Sequence, residues 1–272
     1  MSKSCFDPFS GFMPLRRFCK IILIGVCLFP AGSRIYAGSN PDSLLKVISK
    51  GRGGEKYKAY DQLFDYYESN DHKMALRIAL QQLEFSRESG NNDWKGGANA
   101  NLGSLYLALG MADSAGYFFT RAYDWYKEAG NDDATMNQLC NISTACRLTF
   151  KFEEALAKLQ KVLDYYTMKK EDFRTAQVLA NMGTIYNEMG NNGKHDEYMR
   201  KALEIQYRLP VDRSRGISLI NLCLSLSSQR KFEEAFGYGR EAVGVFRQLN
   251  DLFFTGACLV RAGSAAIGLN ND

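Results

Sequence analysis

The 272-residue sequence contains only two histidines, His72 and His195, and no pair of cysteines in the C-x-x-C spacing. Zinc sites are built from clustered cysteine and histidine ligands, so this composition argues against a metal centre. Alternating runs of valine and isoleucine are also missing, and no Asn-Gly turn joins two such runs, so nothing predicts β-strands. We therefore expect an all-α protein without a bound metal.

Signatures of catalytic sites are missing as well. The sequence has no phosphate-binding loop of the G-x-x-x-x-G-K-[ST] type, no G-x-S-x-G elbow and no H-E-x-x-H pair. Residues 51–54 are rich in glycine, but no strand precedes them, and we interpret them as a linker. Paired carboxylates such as Glu153-Glu154 open predicted helices, where the helix dipole favours negative charge. We expect no enzymatic activity and no cofactor.

The positive charge of the chain is concentrated at its N-terminus. The formal net charge is +4, from 34 lysines and arginines against 30 acidic residues. Residues 1–37 account for this whole excess, and from residue 38 onward the two signs balance. The basic composition therefore does not indicate a nucleic-acid partner.

The same N-terminal segment predicts an export signal. A basic stretch at residues 16–20 precedes the apolar run Ile21–Phe29, and small residues follow through Ala37. This apolar run is too short to cross a hydrocarbon core of about 30 Å. We predict a signal peptide over residues 1–37, cleaved after Ala37 or, as the second choice, after Ser33, and hence a periplasmic or secreted protein. An uncleaved membrane anchor or lipidation at Cys27 are the alternatives.

Four cysteines follow the predicted signal peptide: Cys140, Cys146, Cys223 and Cys258. Cys140 and Cys146 lie on one predicted helix and face different ways. An exported protein can form disulfides, but we predict that these cysteines are buried, small apolar residues.

The sequence repeats itself with a period of 40 residues. One register position holds Asn101, Asn141, Asn181 and Asn221, and another holds Ala75, Ala115, Ala155 and Ala235, with His195 in the remaining place. A strict period of this kind indicates a stack of similar units rather than one catalytic core.

Within each unit, apolar residues at spacings of three and four predict two helices. In the second unit, Trp94 to Leu109 forms the first predicted helix and Asp113 to Glu128 the second, with a turn at residues 110–112. Gly130 is typical of a helix C-terminus.

The residues at these positions resemble the tetratricopeptide repeat (TPR). Leu102-Gly103-x-x-Tyr106 followed by Ala115-x-x-x-Phe119-x-x-Ala122 follows the family pattern. The period exceeds the family's usual value of about 34 residues, so the chain is similar to a longer-helix variant found in signalling scaffolds and peptide-responsive bacterial regulators. The resemblance implies a right-handed α-solenoid of helix-turn-helix repeats.

The period also sets the expected domain boundaries. Residues 38–55 form a leading helix and linker, and residues 256–272 restart the pattern as the first helix of an incomplete sixth repeat. That last helix is apolar, so the sequence is either a fragment or its exposed face is covered by another copy of the chain. The five complete repeats are predicted at 56–95, 96–135, 136–175, 176–215 and 216–255.

The TPR resemblance places ligand binding in the groove lined by the first helix of each repeat. An amide side chain offers donors and an acceptor, so a ladder of asparagines suits the backbone of an extended peptide. The alternative is that the ladder only braces the neighbouring helix. The predicted groove residues are Asn101, Asn141, Asn181, Asn221, Asn137, Arg147, Gln177 and Asn187, with Tyr57, Tyr60, Phe64 and Arg261 as further candidates.

Three functional hypotheses follow. The first is an exported, non-enzymatic scaffold that binds a protein or peptide, with self-association through the C-terminal helix as a further expectation. The second is the sensory N-terminal portion of a membrane-bound regulator, either a histidine kinase or a transcription regulator. A role in an envelope or glycan-uptake complex is a third reading, which lipidation at Cys27 would favour.

Overall fold

The computed structural model describes residues 40–271. These residues form twelve α-helices and no β-strand, which confirms the all-α prediction. The predicted signal peptide, residues 1–37, and Cys27 lie outside the described residues. The helices are α1 (Pro41–Lys50), α2 (Gly53–Glu68), α3 (His72–Ser89), α4 (Asn92–Ala108), α5 (Ala112–Glu128), α6 (Asp132–Leu148), α7 (Phe152–Met168), α8 (Asp172–Glu188), α9 (Asn192–Gln206), α10 (Arg213–Ser228), α11 (Phe232–Gln248) and α12 (Leu252–Asn271).

The described chain forms two compact units, residues 40–211 and residues 212–271. In the first unit, α1 packs on α2, and each helix from α2 to α8 packs against the next one along the chain. It contains the helical hairpins α2–α3, α4–α5, α6–α7 and α8–α9. In the second unit, α10 pairs with α11, and α12 packs on both of them.

The core of each unit is built from the residues that repeat every 40 positions. The alanines that open the second helices, Ala75, Ala115, Ala155 and Ala235, have no exposed surface. Small side chains at these points let the two helices of a hairpin approach closely, and larger apolar residues fill the space around them. The largest fully buried side chains include Phe64, Phe119, Tyr166 and Phe246.

The turn inside each hairpin uses the same left-handed backbone conformation in four successive repeats. The positions are 40 residues apart, with φ values of 75° at Gly110, 60° at Phe150, 76° at Gly190 and 61° at Arg230. The residue that follows closes the helix end, as in the hydrogen bond from Met111 N to Tyr106 O, 2.8 Å long. Glycine favours this conformation, whereas phenylalanine and arginine disfavour it.

The links between hairpins also use a left-handed residue, except at residue 210. Lys170 and Asn250 have φ values of 58° and 54°, and Pro210 stands midway between them in the same register. Because the proline ring fixes φ near −65°, this residue cannot adopt the left-handed form. Helix α9 accordingly ends early, at Gln206, and Asp212 caps α10 by accepting a hydrogen bond from Arg215 N at 3.1 Å.

The four cysteines within the described residues, Cys140, Cys146, Cys223 and Cys258, are free and buried, as predicted. Burial raises the pKa of the thiol in Cys146, Cys223 and Cys258, so these three behave as small core side chains.

Candidate functional site

The four ladder asparagines lie on the first helices of successive repeats, as their register requires. Their exposed fractions are small: 9% for Asn101, 6% for Asn141, 4% for Asn181 and 4% for Asn221. The first three belong to the unit of residues 40–211, and Asn221 lies on α10 in the other unit. A buried amide must satisfy its hydrogen-bonding groups inside the protein or through a ligand or water, so the partners of each amide show what it can do.

Asn101 braces the first two repeats. Its Nδ2 donates to Oδ1 of Asp61 at 3.1 Å and to Oε1 of Gln82 at 2.9 Å. Gln82 Nε2 in turn donates to the same carboxylate oxygen of Asp61 at 2.5 Å. This network joins α2, α3 and α4, and it uses both donors of the Asn101 amide. The bracing alternative therefore describes Asn101.

Two members of this network were not among the predicted site residues. Asp61 occupies the ladder position of the first repeat, 40 residues before Asn101, so the period alone points to it. Gln82 lies on a second helix, outside the ladder register, and it has no exposed surface. Only the folded structure brings its amide against Asp61.

Three carboxylates, Asp61, Asp65 and Glu68, follow one another along α2 at spacings of four and three. Burial raises the pKa of Asp61, while the hydrogen bonds from Gln82 and Asn101 lower it. Asp65 is exposed at the surface, but the partial loss of solvent around its carboxylate, followed by the negative charges of Asp61 and Glu68, raises its pKa to about 7. Ser104 Oγ donates to Oε1 of Glu68 at 2.5 Å and links this acidic face to α4.

Asn141 and Gln177 differ from Asn101, because each has an amide oxygen without a hydrogen-bond partner among the described residues. Asn141 Nδ2 donates to Oε1 of Gln138 at 3.2 Å, but its Oδ1 is buried and accepts nothing. Gln177 Oε1 on α8 is buried and unpartnered in the same way, although the residue as a whole is half-buried. An unsatisfied buried polar group costs about 1–3 kcal/mol. Both oxygens can still accept a hydrogen bond, which would remove this cost.

An ion pair connects the same two helices. Arg147 Nη1 on α6 lies 2.6 Å from Oε1 of Glu188 on α8. The Arg147 side chain is 4% exposed, and its Nε has no hydrogen-bond partner among the described residues. The predicted site residue Arg147 thus links two repeats, and its Nε is a donor without a partner among the described residues.

The remaining predicted amides on these helices are Asn137, Asn181 and Asn187. Asn137 Oδ1 accepts a hydrogen bond from the hydroxyl of Tyr166 at 3.0 Å, which ties α6 to α7. Asn187 is half-buried near the end of α8, and Asn181 is buried on the same helix. Arg261 is half-buried on α12 in the unit of residues 212–271.

The prediction that Tyr57, Tyr60 and Phe64 line the groove was wrong. All three are buried, and Tyr60 and Phe64 belong to the apolar cluster of the first two repeats. Tyr57 stacks on Trp94 with ring centroids 5.0 Å apart, and its hydroxyl donates to Trp94 O at 3.2 Å. Helix α1 also packs on α2, so aromatic side chains here have neighbours from both sides.

His195, the unusual residue in the alanine register, is a buried structural residue. It is 1% exposed, and its Nδ1 lies 2.9 Å from the carbonyl oxygen of Gly183 on the paired helix α8. A histidine fits this place because its ring hydrogen-bonds to the backbone of α8.

Comparison with known protein families agrees with this architecture. The sequence model of the family described as tetratricopeptide repeat matches residues 94–168, which contain α4, α5, α6 and α7. Residues 94–168 of this chain carry tetratricopeptide repeats. The TPR hairpins recognised by sequence are those that hold Asn101 and Asn141, and the other hairpins follow the same 40-residue register. No curated protein matches the sequence.

Solved structures share the TPR-like fold. RapI in its apo form is 16% identical with a TM-score of 0.68, over 79% of this chain and 81% of that one. NprR in complex with its cognate peptide NprX is 20% identical with a TM-score of 0.61, over 82% and 63% of the two chains. BtubC (BKLC) from P. vanneervenii is 18% identical with a TM-score of 0.60, over 96% and 94%. These similarities establish a TPR-like fold.

Proposed function

We propose that this TPR scaffold binds an extended peptide, free or as part of a partner protein, along the first helices α6 and α8. The observation that carries the proposal is the group of unpaired buried atoms on these helices: Asn141 Oδ1, Gln177 Oε1 and Arg147 Nε. A peptide backbone presents N–H donors and C=O acceptors in alternation. Two of its N–H groups satisfy the amide oxygens, and one carbonyl accepts from the guanidinium.

The arrangement of these groups suits a peptide that crosses the repeats. Asn141 lies on α6 and Gln177 on α8, so a ligand that bonds to both of them spans two repeats. Gln177 is half-buried, so a change of rotamer brings its amide to the surface. The structure of NprR with its cognate peptide NprX supports this reading, because that protein shares the fold and its bound partner is a peptide.

The proposal is tested by selecting binders from a library of random twelve-residue peptides and measuring their affinity by fluorescence anisotropy. We expect the double substitution Asn141→Ala and Gln177→Ala to weaken binding of the selected peptides at least about tenfold, since each lost hydrogen bond is worth about 0.5–1.5 kcal/mol. Gln160→Ala, which removes an exposed amide of α7, serves as the matched control and leaves the affinity unchanged. Unchanged binding in the double variant, with helicity retained by circular dichroism, contradicts the proposal.

We further propose that the protein acts outside the cytoplasm. The alternative proposal is that this chain is the peptide-sensing portion of a membrane-bound regulator. The support is the basic and apolar N-terminal segment of residues 16–29. The test is the intact mass of the protein isolated from its own cells. A loss of roughly 4 kDa from 30.6 kDa supports export with cleavage, and a much larger mass supports the regulator.

A further inference from the structure

Helix α12 is packed on one side only. Its buried residues, Thr255, Cys258, Ala262 and Ala265, face α10 and α11 within the unit of residues 212–271. The opposite face is apolar and open: Leu252 is 85% exposed, Phe253 69%, Val260 66% and Ile267 64%. Contiguous apolar surface of this kind marks a site of interaction.

The glycine in this open face occupies a position that a second helix covers in other repeats. Gly103 and Gly183 hold the same register position in α4 and α8. A Cβ at Gly103 would lie 2.5 Å from the ring of Phe119, and one at Gly183 would lie 3.1 Å from Cε of Met199. A Cβ at Gly263 would meet nothing within 4 Å. The surface around Gly263 therefore has the shape that receives a helix.

Six residues of the open face form a pattern that is nearly the same in both directions. Counting outward from its centre, Leu259 pairs with Val260, Gly256 pairs with Gly263, and Leu252 pairs with Ile267. These three pairs join side chains of similar size and polarity, whereas Phe253 pairs with the smaller Ala266. A two-fold symmetric interface places one surface against itself, so it requires this kind of self-complementary pattern.

We propose that the partner of this face is a second copy of the chain. The two α12 helices pack antiparallel, with the two-fold axis between Leu259 and Val260, so that Leu252 of one copy contacts Ile267 of the other. None of these residues is ionisable, so the contact buries no charge. The exposed area of the apolar side chains is on the order of 700 Å² per copy, near the roughly 800 Å² per partner of a standard interface.

The same helix is long and apolar enough to cross a membrane, since the window Leu252–Leu269 has a mean hydropathy of 1.6. A spanning helix, however, presents apolar residues to lipid all round. Helix α12 already uses the side of Cys258 and Ala262 to pack on its own unit, and Gly239 of α11 approaches Ala262 so closely that an added Cβ would lie 3.1 Å away. Only the opposite face remains for a partner, which favours a second copy over a bilayer.

The test is sedimentation equilibrium of the full chain over a range of concentrations, with a charge-pair design. Leu252→Glu and Ile267→Lys, each alone, place a charge against an apolar side chain and raise the dissociation constant of the dimer at least about tenfold. The double variant sets the two new charges opposite each other across the antiparallel contact and restores the dissociation constant to within about threefold. Phe150→Lys, at a similarly exposed position of the other unit, leaves it unchanged.

Three results would overturn the proposal. The first is a monomer at every concentration. The second is a double variant that associates more weakly than either single variant, because a parallel contact would set like charges against each other. The third is binding of the full chain to phosphatidylcholine vesicles that both single variants abolish while self-association persists, because α12 would then contact lipid.

Discussion

Gly103 lies directly against the ring of Phe119, so that a methyl group at residue 103 would fall 2.5 Å from its Cδ1 atom. The two residues come from α4 and α5, the paired helices of one TPR hairpin. The absent side chain of the glycine is what allows the two helices to approach so closely. The sequence spacing of the family pattern therefore corresponds to one specific contact.

We expect Gly103→Ala to lower the free energy of unfolding by about 1–3 kcal/mol, because the added methyl group overlaps a fully buried ring. The matched control is Gly116→Ala on α5, where the new Cβ would lie 3.4 Å from Cβ of Ala145, an ordinary contact. Its better helix propensity makes that variant neutral or slightly more stable. Urea denaturation measures both, and equal effects at the two positions contradict this account.

Phe150→Gly should stabilise the chain by about 1 kcal/mol. Phe150 has a φ of 60°, a left-handed conformation that destabilises any residue other than glycine. Its side chain is 76% exposed, so it buries little surface that could offset this strain. Its edge-on contact with Phe152, at 6.0 Å between ring centroids, offsets part of that gain. Gly110→Ala, at the equivalent position one repeat earlier, should change the stability in the opposite direction. Thermal unfolding followed by circular dichroism decides whether the two signs differ.

The stability of the unit of residues 40–211 should fall as the pH rises from about 4 to about 7. The pKa of Asp65 is raised, so over part of this range the folded state keeps a proton there that the unfolded state has released; because the side chain is exposed to solvent, we expect a small effect. Asp65→Asn cannot ionise, so its melting temperature should change less over this range and exceed that of the natural chain at pH 8. Parallel slopes for the two proteins would show that Asp65 does not contribute.

The period of the sequence was enough to place the helices and the small residues between them. The predicted helix from Trp94 to Leu109 is found at Asn92–Ala108, and its partner, predicted from Asp113, begins at Ala112. Such positions can be predicted from the sequence because packing between repeats requires the same residue type every 40 residues. The left-handed conformation of Phe150 could not be predicted from the sequence, because phenylalanine disfavours the conformation that the turn imposes.

The candidate site could be predicted only in part from the sequence. The ladder asparagines were found, but their different hydrogen-bonding roles depend on Gln82 and Gln138, which lie outside the ladder register. The aromatic residues of α2 were misplaced because α1 packs against that helix and buries Leu44 beside it. A repeat at the end of an array has different neighbours, which its own residues do not specify.

The ladder predicts a contrast in stability between two chemically identical substitutions. Asn101→Ala removes two donors from the buried network of Asp61 and Gln82, and we expect it to cost about 1–3 kcal/mol. Asn141→Ala removes one 3.2 Å hydrogen bond together with an oxygen that has no partner, so it should cost less than about 1 kcal/mol.

Chemical denaturation of the two single variants, in the absence of peptide, measures this contrast. A small loss of stability at Asn141 means that its amide is held in place without serving the fold, which is the property expected of a ligand-binding group. An equal and large loss at both positions would instead assign Asn141 to the same bracing role as Asn101. Asn141 would then no longer support peptide binding along α6 and α8.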